Sequence, residues 1–122
     1  MFEYLVFDEH VGMAFHREAR IEVDGDSLRY RIDGSDGDMT ADDARAFLRS
    51  LEAFRVPSWN TEYVGGCSYT YSWGLRYKEV GRRCLRIFGF NTAPACYSDF
   101  VSLLFSLSGK EEKSVCGKGF RT

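Results

Sequence analysis

The groups in this chain with chemistry to offer are few. They are His10 and His16, cysteines at 67, 84, 96 and 116, the acid-rich loop DGSDGDM from Asp33 to Met39, and arginines and phenylalanines gathered around FGFNTAP at Phe88 to Pro94. The acid-rich loop invites a calcium reading, but an EF-hand loop needs oxygen donors at fixed positions, a central glycine and a glutamate at its twelfth position. Counted from Asp36, the sixth position is Ala41 and the twelfth is Phe47, so the acids read as a solvated turn leading into a helix start. A Cys/His nucleophile would have to bring His10 or His16 beside Cys67, Cys84 or Cys96, and no local signature does so. His16 falls on the polar side of its segment with Glu18 and Arg20, which reads as a surface histidine. The cysteine spacings contain no CxxC pair of the zinc type, and there is no GxxxxGK[ST], HExxH, GxSxG or GxGxxG. From the sequence no catalytic residue, metal or cofactor is assigned.

The arginines and phenylalanines form the stronger constellation. If Leu85 and Ile87 point to the core with Trp73 and Leu75, strand alternation sends Cys84, Arg86, Phe88 and Phe90 the other way, beside Arg76 and the hydroxyls of Ser68, Thr70 and Ser72. Arg29, Arg31 and His16 belong to the same side. Exposed aromatics among arginines anchor protein partners or stack on nucleobases. A net charge of −2 lacks the basic excess that backbone binding requires, which points to a protein partner or a second copy of the chain in a homodimer, and away from nucleic acid. The competing structural reading is a bulge near Gly89 that returns Phe88 or Phe90 to the core, or arginines paired with Glu18 and Glu22 across strands.

A second candidate lies where FGFNTAP meets the next helix. Backbone N–H groups of Thr92 to Ala95 would face outward there, and Asn91, Thr92, Arg82 and Arg83 could complete a pocket for a small anion or a nucleotide-like ligand, with or without enzymatic use. Gly89 to Pro94 itself reads as a structural corner.

These residues need elements to hold them. FEYLVF at the N-terminus reads as a strand ending near His10 to Gly12, with two faces about equally apolar. From Met13 to Val23, Phe15, Ala19, Ile21 and Val23 alternate with His16, Glu18, Arg20 and Glu22, and Arg17 is the one charge on the apolar side. Asp24-Gly25-Asp26 turns the chain into a second strand bearing Leu28, Tyr30 and Ile32. Thr40 is an N-cap for a helix whose core stripe is Ala44, Phe47, Leu48, Leu51 and Phe54, ended by Pro57. After a linker, Tyr69, Tyr71, Trp73, Leu75 and Tyr77 alternate with small and polar residues, a turn follows at Lys78 to Gly81, and RRCLRIFGF returns the chain. Pro94 opens a second helix with the stripe Tyr97, Phe100, Val101, Leu104 and Leu107. The order β-ββα-ββα predicts an α+β fold, a mostly antiparallel sheet of about five strands with both helices on one face.

With 44% hydrophobic and 16% aromatic residues in 122, one packed domain over residues 1–109 is expected, followed by a flexible tail over 110–122. The N-terminal apolar run lacks a basic flank and is broken by Glu3 and Asp8, so neither a signal peptide nor a membrane anchor is expected, the thiols should be reduced, and the expected location is cytoplasmic. Acidic residues concentrate in the first half of the chain and basic ones in the second.

Trp59, Trp73-Gly74-Leu75, Gly81 and Gly89-x-Asn91-x-x-Pro94, followed by Phe100 and Leu103-Leu104, together carry a resemblance. The pattern resembles a family of small uncharacterised bacterial proteins in which a tryptophan-bearing hairpin leads through a G-x-N-x-x-P corner into a C-terminal helix. It extends over residues 59–107. The resemblance implies a bacterial, cytoplasmic protein of this fold and brings no catalytic residue with it.

Overall fold

A computed structural model of the chain describes residues 1–13, 15–65 and 71–108. Cys67, Ser68, Tyr69, Thr70, Cys116 and the tail expected over 110–122 lie outside the described residues.

The fold is α+β. Its strands are β1 (Phe2–Val11), β2 (Phe15–Asp24), β3 (Ser27–Ile32), β4 (Ser35–Asp38), β5 (Glu62–Val64), β6 (Tyr71–Glu79) and β7 (Leu85–Phe90). They form one seven-stranded sheet in the order β4-β3-β2-β1-β6-β7-β5, antiparallel throughout except for the parallel β5–β7 pair. The helices are α1 (Ala41–Glu52) and α2 (Tyr97–Phe105).

Two strands exceed the expected count of about five. Asp33 and Gly34 adopt positive φ and fold the acid-rich segment back on β3, so that Asp36 and Asp38 face Arg31 and Arg29. The expected loop is therefore an edge strand, held by charge pairing across the ladder. In the expected linker, Glu62–Val64 adds itself beside β7, a pairing between residues far apart in sequence that leaves no local signature.

Strand alternation sets the core. Leu5 and Phe7 of β1, Ala19 and Ile21 of β2, Leu28 and Ile32 of β3, Trp73, Leu75 and Tyr77 of β6 and Ile87 of β7 are buried. They share one core with Ala44, Phe47 and Leu51 of α1 and Phe100, Val101, Leu104 and Phe105 of α2. Phe100 is its centre: Phe54, Trp59 and Phe7 meet its ring edge-on at 5.5, 5.1 and 6.2 Å, the geometry that aromatic quadrupoles favour.

Helix α1 starts as its sequence dictates, with the Asp43 N–H donating to Thr40 Oγ1 at 3.1 Å and Asp42 and Asp43 in the first turn. Helix α2 begins at Tyr97, later than Pro94; the Tyr97 N–H bonds the Pro94 carbonyl in a turn that precedes the helix. No helix among the described residues is long and apolar enough to cross a membrane.

The corner between β7 and α2 is a clasp. Asn91, at φ 63°, donates its N–H to the Tyr71 carbonyl at 2.7 Å and accepts the Tyr71 N–H on Oδ1 at 3.1 Å. The Trp73 indole N–H donates to the Thr92 carbonyl at 2.9 Å. A Cβ at Gly89 would lie 2.0 Å from Trp73 Nε1, so only glycine lets the indole reach that carbonyl.

Candidate functional site

The sheet face opposite the core is largely polar and charged. The register places Asp36, Arg31, Arg20, Val6, Arg76 and Arg86 in one row across β4, β3, β2, β1, β6 and β7. The next row holds Glu18, Asp8, Gly74, Phe88 and Glu62, and the one after it His16, His10, Ser72, Phe90 and Val64. Residues directly opposite on adjacent strands point to the same face, so these rows make one surface.

That surface has two unlike halves. On β3 the arginines are neutralised. Arg31 grips Asp36 through Nε–Oδ1 at 2.7 Å and Nη2–Oδ2 at 3.2 Å, and the hydrogen bond holds the Asp36 carboxyl below the usual range while raising the guanidinium. Arg29 sits among Asp24, Glu22 and Asp38 at 3.0, 3.6 and 3.9 Å. A shallow hollow of about 740 Å³ lies over these residues with both charge signs on its walls.

On β6, β7 and β5 the picture is different. Arg76 faces Arg86 directly. Among the described residues, Arg20, Arg76 and Arg86 make no ion pair. Phe88 and Phe90 stand 47% and 46% exposed and Val64 68%. The strand alternates without a bulge at Gly89, which is buried on the core side between them. Gly74, opposite both Asp8 and Phe88, leaves the floor of a second hollow of about 300 Å³, lined by Val6, Asp8, Arg76, Arg86 and Phe88 among others.

Of the residues singled out in the sequence, Arg76, Arg86, Phe88 and Phe90 are thus brought together. Arg29 and Arg31 share their face but lie beyond β1 and β2 and are committed to acids. Arg20 was not singled out, and its place in the arginine row follows from the register.

The second candidate does not assemble. Arg82 and Arg83 lie in the turn before β7, and Asn91 and Thr92 follow its other end. A six-residue strand at about 3.3 Å per residue separates the two pairs by roughly 20 Å. Arg82 is turned toward Glu79 at 3.7 Å, Asn91 is used by Tyr71, and Asp99 already occupies the first turn of α2, where an anion would have to bind.

The core side holds a polar cluster that the sequence did not disclose. Among the described residues Glu9 is the buried charge, 5% exposed. Arg17, opposite it on β2, donates Nε to Glu9 Oε1 at 2.8 Å, and the Tyr71 and Tyr97 hydroxyls donate to Oε2 at 2.8 and 2.7 Å. The Arg17 guanidinium lies 4.2 Å from the centre of the Phe105 ring. Burial pushes both phenols well above their ordinary range, and the bonds to Glu9 push the same way. With every group engaged, the cluster ties β1, β2, β6 and α2 together and leaves no free acid or base. Its one trace in the sequence is Arg17, the single charge on an apolar strand face.

On the open face, His10 lies directly opposite His16, their rings stacked 4.4 Å apart and 18° from parallel. His10 Nε2 is 3.6 Å from Asp8 Oδ2. Among the described cysteines, Cys84 and Cys96 are free thiols, and Cys84 accepts the Tyr4 hydroxyl at 3.7 Å.

No protein-family model, curated protein or solved structure matches the chain.

Proposed function

We propose that this chain is a small non-enzymatic interaction module that docks a protein partner on the β6, β7 and β5 part of its open sheet face. The reading is carried by Arg76 set opposite Arg86, without a carboxylate, beside the exposed Phe88, Phe90 and Val64. Like charges directly across a ladder cost stability, and three neighbouring exposed apolar side chains add nothing to it. Both features gain a purpose when a partner covers them.

The patch chemistry specifies that partner. Apolar side chains would meet Phe88, Phe90 and Val64, and carboxylates would meet Arg76, Arg86 and Arg20. A two-fold homodimer through the same patch would set arginine against arginine, which disfavours a second copy. A nucleic-acid backbone would meet Asp8, Glu18, Glu22 and Glu62 on the same face. A bacterial cytoplasmic setting belongs to this reading.

Photocrosslinking in cells tests it, with a photoreactive residue at position 64 on the rim of the patch and a control at position 36 in the ion-paired half. The expected result is one defined protein adduct from position 64 that disappears in the Arg76→Glu, Arg86→Glu variant and never forms from position 36. An adduct to nucleic acid, the same adduct from both positions, or none at all would overturn the proposal. A dimer of the chain itself, seen by light scattering and abolished by Phe88→Ala, would replace the partner with a second copy.

A further inference from the structure

We propose that Asp8, His10 and His16 form a three-ligand site for a zinc ion on the open face. One carboxylate oxygen and one nitrogen from each imidazole all lie within 4.8 Å of one another. Zinc binds imidazole nitrogen and carboxylate oxygen at about 2.0–2.2 Å, so tetrahedral donors stand roughly 3.4 Å apart. The closest pair, Asp8 Oδ2 and His10 Nε2, is already at 3.6 Å. His16 is exposed and His10 and Asp8 are half-exposed, so their side chains are free to rotate through the remaining distance.

The backbone prepares the arrangement. His10 and His16 are cross-strand partners close to the turn joining β1 and β2, where Gly12 takes a φ of 60°, and Asp8 is two residues back on the same strand and face. Ladder hydrogen bonds fix both histidine backbones before any metal arrives, so binding orders only side chains. Two imidazoles and one carboxylate form a set suited to borderline divalent ions, and the hard cations that demand all-oxygen shells are excluded. Glu18 faces Asp8 across the same two strands, adding negative charge beside the site. Three protein ligands leave at least one coordination position, which faces solvent and takes water in the isolated protein.

The test uses zinc chloride and the chain of 122 residues, titrated by calorimetry and by imidazole NMR of the wild type. One zinc per chain with micromolar affinity is expected, with both histidine ring signals shifting together. His10→Asn or His16→Asn should weaken binding by more than about a hundredfold, beyond the roughly 10- to 100-fold that loss of a supporting contact causes. Asp8→Asn should weaken it less, and replacing all four cysteines by serine should leave it unchanged. Affinity weaker than millimolar, binding that survives His16→Asn, or binding that vanishes with the cysteines would each overturn the assignment. Because the wild-type NMR reads the ring nitrogens directly, misfolding of a variant does not blunt the result, and the outcome is independent of whether a protein docks on the face.

Discussion

Glu9–Arg17 and His10–His16 are neighbouring pairs on the same two strands, yet one faces the core and the other solvent. The contrast shows how burial decides what a polar pair can do. Inside, a carboxylate left short of partners costs several kcal/mol, so Glu9 has collected a guanidinium and two phenols until nothing in the cluster is free. Outside, water satisfies the histidines at no cost, so their nitrogens remain available. Adjacent pairs thus divide into a structural tie and a candidate ligand site. The two pairs are successive rungs of one ladder, and the pleat sends them to opposite faces.

The largest expected effect comes from opening the closed pair. Glu9→Ala leaves Arg17 facing the core without its counter-charge and should cost about 3–5 kcal/mol in urea unfolding. Arg17→Ala should cost at least as much, since the charge it leaves uncompensated is Glu9, the more deeply buried of the two. Replacing both at once, Glu9→Leu with Arg17→Met, should restore only part of the loss, because an apolar pair avoids the desolvation of two charges but leaves the Tyr71 and Tyr97 hydroxyls without their acceptor. If each single change cost under about 1 kcal/mol, the distinction between the two pairs would fail. Tyr97→Phe is the milder version. It removes one of three donors to Glu9 and should cost about 1.5–3 kcal/mol, the usual worth of a hydrogen bond to a charged group.

Alkaline pH probes the same closure without mutation. Burial, with Glu79 and Glu52 nearby, raises the Tyr77 phenol from 10.0 to about 12, and Tyr71 and Tyr97 are raised further. An unfolded tyrosine therefore ionises first, and between those values the folded state binds more protons than the unfolded one. The stability contributed by these phenols is fully present below about pH 10 and is lost as pH rises through the folded values. Urea midpoints measured from pH 9 to 12 should fall steadily, and Tyr77→Phe should flatten the first part of that fall.

How much of this was legible in the sequence follows the range of the interactions. The Thr40 cap, α1, the β2–β3 hairpin and the alternation of β6 and β7 rest on neighbouring residues and could be read directly. The facing of Phe88 and Phe90 stayed open between that alternation and a bulge at Gly89, and the unbroken β6–β7 register turns both outward. The inward facing of Glu9 could not be read, because β1 is similarly apolar on both faces and its parity is set by pairing with β2 and β6. β5 rests on a parallel pairing across the molecule, and β4 on cross-strand charges that resembled a solvated loop. The His10–His16 pair was closer to hand. The two residues are equidistant from Met13, beside the turn glycine, and reading the segment as one hairpin would have joined them.

The open face repeats the contrast between closed and open in its two halves, and the smallest prediction separates them. Arg31 and Arg29 have taken up carboxylates, whereas Arg76 and Arg86 oppose each other unrelieved. Arg76→Glu converts that like-charge pair into an attractive one and should raise stability by about 0.2–1 kcal/mol, measurable as a shifted urea midpoint. In the docking reading the same change abolishes the adduct formed at position 64, because a carboxylate then meets the partner's carboxylates. A variant that gains stability while losing its partner separates docking from folding, since a merely structural arginine would lose both or neither. If Arg76→Glu lowered stability instead, Arg76 would be supporting the sheet, and the two halves of the face would differ in composition alone.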